Sequence, residues 1–211
     1  MLAQTGCDRC YAERMALRFP KSFPNGFDLT LRPDALDLPL HWRRPRTIFV
    51  NSMSDLFQVD VPESYIATVF DIMVRTPQHS PSVLSVSPDW RRGCRGPPHV
   101  WMGVSVETPK YRWRIDYLRK TPAAVRFVSA EPLLAALPGL DLDGIHWSIA
   151  GGESQPGARP AALAWFEDLH DQCRRANVAF SLKQLGGHPS KRGGDQAVLS
   201  GRRWLELPVK L

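Results

Sequence analysis

The sequence predicts an α/β protein built on a parallel sheet, a partial β/α barrel of the TIM-like kind, and three observations predict it. Six short apolar runs recur along the 211 residues. Amphipathic stretches at helical spacing follow most of them, and five of the runs end on polar or ionisable residues. Apolar strands separated by helices imply a sheet covered on both faces, either a barrel or a doubly wound layer. No G-x-G-x-x-G follows an early strand, which leaves the dinucleotide-binding layer without support. The polar strand ends favour the barrel, whose chemistry sits on loops just past the C-terminal ends of the strands.

The elements follow in order. A short helix begins at Cys10, with Tyr11, Met15 and Phe19 four residues apart. The first strand candidate is Thr47–Asn51, and Pro62 then opens a helix whose Ile66, Val69, Phe70 and Met73 share one face. Val83–Val86 and Val100–Val106 are the next strands. Thr108-Pro109 opens a helix with Tyr111, Ile115 and Leu118 inward. Val125–Ser129 and Ile145–Ala150 follow. Pro160 opens a helix carrying Leu163, Phe166, Leu169 and Cys173, and Ala179–Leu182 is the last strand. One domain is expected over residues 1–211, with an anomalous segment at 80–99 and a loop-rich tail at 185–211 from which Trp204, Leu205 and Leu207 pack back onto the body. The anomaly is a Pro/Arg/Gly-rich run, Ser87 to Pro98, standing where a crossover helix belongs.

Hydrophobic residues make up 43% and charged residues 23%, a globular composition with material for a core. No run of 18 apolar residues occurs, and Met1 to Gly6 is too short and polar for a signal peptide. The expectation is therefore a cytoplasmic protein with no membrane partner. Four cysteines, Cys7, Cys10, Cys94 and Cys173, are too few for a disulfide framework in a chain of this length. The net charge of +6 is local. Residues 91–126 hold nine basic and two acidic side chains, whereas the segments on either side are balanced. Such a stripe binds phosphates through counterion release or is simply a solvated face.

Cys7-Asp8-Arg9-Cys10-Tyr11 is the sharpest motif. Two thiolates three residues apart, the second opening a helix, point one way, and the helix N-terminus stabilises their charge. A zinc half-site, a redox dithiol, an iron–sulfur site and two inert cysteines all fit the pair. Ser148 to Ser154 is second: Gly151 and Gly152 after a strand allow positive φ and close approach to a ligand, and Glu153 can accept from an amine or hydroxyl. A tight turn with a solvated glutamate reads the same way. The other strand ends supply Asn51, Ser52, Asp55, Glu107, Glu131 and Lys183, any of which also serves as a cap or ion-pair partner. His146 lies within a strand and is expected to be a satisfied core histidine.

Gly6 to Ala16, then Ile48 to Phe57, Trp101 to Glu107, Arg126 to Leu133, Ala150 to Ser154 and Leu182 to Gln184, taken in this order, resemble the phage-associated three-cysteine-motif family, a radical-SAM-like group of unassigned function. The resemblance implies a 4Fe-4S cluster held by three cysteines, with S-adenosylmethionine as the small-molecule cofactor and a family partner protein. On this sequence it makes Cys7 and Cys10 cluster ligands and puts Asn51, Ser52 and Asp55 at the methionine end of the cofactor. It gathers Glu107, Glu131, Glu153 and Lys183 at the floor of the same cavity, with Gly151, Gly152 and Glu153 read as cofactor-binding and Glu107, Glu131 and Lys183 as catalytic candidates whose individual roles the resemblance does not assign. The family's first cysteine would fall at or before Met1, so the resemblance also implies a truncated form missing its first strand and one cluster ligand. A different class remains: a noncatalytic nucleic-acid-binding barrel using the 91–126 stripe.

Overall fold

The computed structural model describes residues 10–51, 53–85 and 99–208. Six strands, β1 (Thr47–Val50), β2 (Ser80–Ser85), β3 (Trp101–Ser105), β4 (Val125–Ala130), β5 (Trp147–Gly151) and β6 (Ala179–Gln184), form one sheet in chain order, and every neighbouring pair is parallel. Parallel neighbours need crossovers, and right-handed crossovers in sequential order place their helices on a single face. The result is a partial parallel β/α barrel in which β1 and β6 are not paired with each other. The helices are α1 (Tyr11–Arg18), α2 (Glu63–Arg75), α3 (Trp113–Arg119) and α4 (Leu163–Arg175).

The period-2 alternation of the strands divides the core. Met102, Val104, Val128, Ala150, Phe180 and Leu182 join Ile66, Phe70, Ile115, Leu118, Phe166 and Leu169 in the larger cluster, between sheet and helices. On the opposite face Trp101, Val125 and Phe127 form a second cluster, with Leu84, Trp147 and Ile149 packed against it. Gly103 makes the second cluster possible. A Cβ at this position would collide with the Phe127 ring, so only glycine lets that ring lie flat across β3.

The expected helices form with their inward faces largely as the spacing gives them: Ile66, Val69, Phe70 and Met73 on α2, Tyr111, Ile115 and Leu118 around α3, and Phe166, Leu169 and Cys173 on α4 are all buried. Leu163 is the exception, 49% exposed at the first position of α4. On α1 the stripe picked out by the spacing faces out: Tyr11, Met15 and Phe19 are 53%, 40% and 43% exposed, while Ala12 and Ala16 are buried. Both stripes recur every four residues, and the alanines let the helix seat more closely.

One segment is corrected in part. Residues 80–85 are no anomaly; they are β2, in register between β1 and β3, and residues 86–98 lie outside the described residues. The tail is largely loop, as expected, with short extended pieces. It forms a two-stranded hairpin, β7 (Val198–Leu199) with β8 (Arg202–Arg203), and residues 204–206 then run antiparallel beside β6. Leu182 N–H donates to the Trp204 carbonyl at 2.8 Å and Glu206 N–H to the Phe180 carbonyl at 3.1 Å. Extended backbone alternates its side chains, so Trp204 packs inward whereas Leu205 and Leu207 are 58% and 65% exposed. Among the described residues no helix is long and apolar enough to cross a membrane.

Candidate functional site

All six strands point the same way, so their C-terminal ends share one rim of the sheet. The register builds the face leading to it in layers. Gly103, Phe127, Trp147 and Ala179 lie side by side, and one layer closer to the rim come Ser105, Ser129, Ile149 and Ser181. An aromatic floor therefore gives way to hydroxyls. The Trp147 indole donates to Ser181 Oγ at 3.1 Å, and that hydroxyl donates to the Glu206 carbonyl at 2.7 Å.

At the rim the carboxylates have different fates. Asp55, after β1, accepts from Phe57 N–H at 3.0 Å and from the Ser85 hydroxyl at 2.9 Å, tying the end of β1 to the end of β2. Glu107, after β3, is buried and sits 3.2 Å from Arg114 Nη1, which also donates to the Ser105 carbonyl at 2.7 Å. Burial pushes the Glu107 carboxyl above its ordinary pKa, and the Arg114 charge opposes that shift without cancelling it. Glu153, after β5, is buried under Arg159: Nη2 reaches one oxygen at 2.7 Å, while Nε at 3.1 Å and the backbone N–H at 2.7 Å reach the other.

Glu131, after β4, differs. Its Oε2 receives the Ser129 hydroxyl at 3.3 Å; its Oε1 is buried and accepts no hydrogen bond among the described residues. Lys183 Nζ stands 3.5 Å from that oxygen on a side chain that is 62% exposed. Glu131 and Lys183 come together as the sequence places them, and Gly151 lies beneath: a Cβ there would collide with Glu131 Oε1.

The two glycines allow close approach, as expected, but without the expected positive φ. Neither Gly151 nor Gly152 has positive φ, and the space a Gly152 Cβ would need is filled by the backbone of Leu185 and Gly186. The small size of Gly152 admits the chain's own loop: its N–H donates to the Gln184 carbonyl at 2.9 Å, and the Gln184 side-chain amide donates to the Gly152 carbonyl at 3.0 Å. Asn51 is left-handed, at φ 61°, a conformation asparagine tolerates; its amide donates to Ser54 Oγ at 2.9 Å. Ser52 and Cys7 lie outside the described residues. Cys10 is a half-buried free thiol at the N-cap of α1, and its own side chain makes no capping hydrogen bond. Among the described residues no group of three or more His, Cys, Asp or Glu side chains is arranged to hold a metal ion.

The basic stripe is largely spent internally. Arg112 donates to the Gly139 carbonyl, Arg119 pairs with Asp116 and Asp141, and Arg126 donates to the carbonyls of Gly144, Thr121 and Ala123. Arg114 is committed to Glu107, and Arg91, Arg92 and Arg95 lie outside the described residues. His146 is satisfied as expected, its Nδ1 accepting from Arg126 N–H at 2.9 Å, but it sits just before β5 and is half-buried rather than in the core; burial lowers its pKa. Sequence reading missed Arg114 and Arg159, whose only signal was opposite charge seven and six residues past a glutamate. It also missed Ser129, which the two-residue period puts on the same face as Glu131.

Sheet and rim together define a partial β/α barrel carrying a polar cluster at the C-terminal ends of its strands. The chain belongs to the family described as Protein of unknown function (DUF5131), whose model matches residues 2–208. No curated protein and no solved structure matches it.

Proposed function

We propose that this protein is a radical-SAM-like iron–sulfur protein with a TIM-like partial barrel, working in the reducing cytoplasm. The observation that carries the reading is Cys10: a thiol in no disulfide, half-buried, at the N-cap of an eight-residue helix. Cysteine sulfur is the donor an iron–sulfur cluster requires. Cys10, with Cys7 three residues before it, would hold the cluster. When bound, such a cluster supplies the electron that cleaves S-adenosylmethionine to a radical.

The chain's own residues supply the surroundings. Asp55 and Glu153 fix the loops after β1 and β5, Glu107 fixes α3 against β3, and Glu131 with Lys183 offers polar groups to whatever enters the rim. The test is anaerobic reconstitution of the full chain with iron and sulfide. The expected result is broad absorbance near roughly 400 nm and iron approaching about four atoms per chain, both lost in Cys10→Ala. Protein that stays iron-free, or that loads equally well without Cys10, overturns the proposal.

A further inference from the structure

At the end of β6 the register slips. Ala150 is paired with Leu182, but the next residue, Gly151, is paired with Gln184, so Lys183 is the extra residue of a β-bulge. A bulge takes its extra residue out of the ladder and re-aims the side chain. Lys183 is the one exposed position of β6, and it turns across β5 toward Glu131, with Nζ 3.5 Å from Oε1. A charge-assisted hydrogen bond would be about 2.7–2.9 Å. The two groups attract one another without closing.

Glu131 thus keeps acceptor capacity in a place where unmet capacity is costly. Its Oε1 is buried and accepts no hydrogen bond among the described residues, its Oε2 takes a long bond from Ser129, and Gly151 beneath gives the carboxylate its seat. Asp55, Glu107 and Glu153, by contrast, each have short or ion-paired partners. The rim offers an acceptor at Glu131 and a donor at Lys183, equal in charge and opposite in sign. Beside them stands the half-buried side chain of Ile149, in the layer below.

Resting on the reading that this rim is the ligand-binding end of the barrel, we infer that Glu131 and Lys183 are a recognition pair for the zwitterionic head of an α-amino acid. The ligand's ammonium takes the Glu131 carboxylate, its carboxylate takes the Lys183 ammonium, and an apolar side chain extends toward Ile149. A net-neutral pair selects a net-neutral ligand. An amine or a carboxylate alone would satisfy one member and separate the other from its partner, which is how specificity against the half-ligands arises.

The test is an NMR titration of the iron-free full chain with L-leucine, 3-methylbutylamine (the head without its carboxylate) and 4-methylpentanoate (the head without its ammonium). Iron-free protein makes the result independent of the cluster, so a failure here leaves iron loading untouched, and failed iron loading leaves this result standing. L-leucine is expected to bind at least tenfold more tightly than either analogue. Glu131→Gln should weaken L-leucine at least tenfold and tighten 4-methylpentanoate, which no longer strands a carboxylate; Lys183→Met, at an exposed position, should weaken L-leucine equally and tighten 3-methylbutylamine, which no longer strands an ammonium. Equal binding of all three probes, no binding of L-leucine, or L-leucine affinity unaltered in Lys183→Met overturns the inference.

Discussion

Arg159 closes on Glu153 from three directions, with Nη2, Nε and its own backbone N–H all donating to one buried carboxylate. The pair holds the turn after β5 in a single shape. Arg159→Ala should cost about 1–3 kcal/mol, the penalty of a buried acceptor losing its donors, and denaturant unfolding measures it. Limited proteolysis should cut the variant between residues 153 and 159 first; cleavage elsewhere would mean that this staple is not what holds the turn.

Arg114→Ala should cost more, about 3–5 kcal/mol, because it leaves Glu107 buried without its counter-charge. Arg114→Ala combined with Glu107→Gln should recover part of that loss. A double variant no more stable than the single one would show that Arg114 acts through its contact with the Tyr111 ring, 4.1 Å away, rather than through Glu107.

Glu107 also sets a pH dependence. Its folded pKa lies above the ordinary carboxylate value, so on raising the pH the unfolded chain ionises this group first. Relative to Glu107→Gln, the wild type therefore loses stability as pH rises from the ordinary carboxylate range toward the raised value, and the loss is constant beyond it. Unfolding free energies of the two proteins across that interval give the slope. A difference growing in the opposite direction would contradict the sign.

Cys173 is wholly buried on α4, and burial pushes its thiol up to about 12. Iodoacetamide at pH 8 should leave the Cys173 peptide unlabelled in native protein and label it fully in denaturant, as mass spectrometry would read. Rapid native labelling would place α4 among the segments that open easily.

Gly103→Ala drives a methyl into the Phe127 ring, and overpacking of this kind costs about 1–3 kcal/mol. Gly103→Ala with Phe127→Leu should be less destabilised than the sum of the two single changes, the mark of two residues in contact. Strict additivity would mean that the ring has room to move.

Most of the frame was legible in the residues. Runs such as Val125–Ser129 and Ala179–Leu182 are strands because β-branched and aromatic residues repeat there between turn signals, and strand ends 2–6 in a barrel order share a rim. What the residues concealed was the company each group keeps. Glu107, Glu131 and Glu153 look alike in a string of letters, and two are fastened by arginines brought in by a helix and a loop. Tyr11–Met15–Phe19 and Ala12–Ala16 have the same period, so spacing could not say which stripe turns inward. The bulge at Lys183 has no letter of its own; it exists only against Gly151 on the neighbouring strand.

The strip at residues 204–206 has a consequence for how this architecture can be elaborated. It lies antiparallel against β6, and a further β/α unit would have to join that margin in parallel. One flank of the half-barrel is thereby sealed by direction as well as by occupancy. Insertions or fusions on that side can decorate the molecule but cannot widen its sheet unless they first peel three residues away.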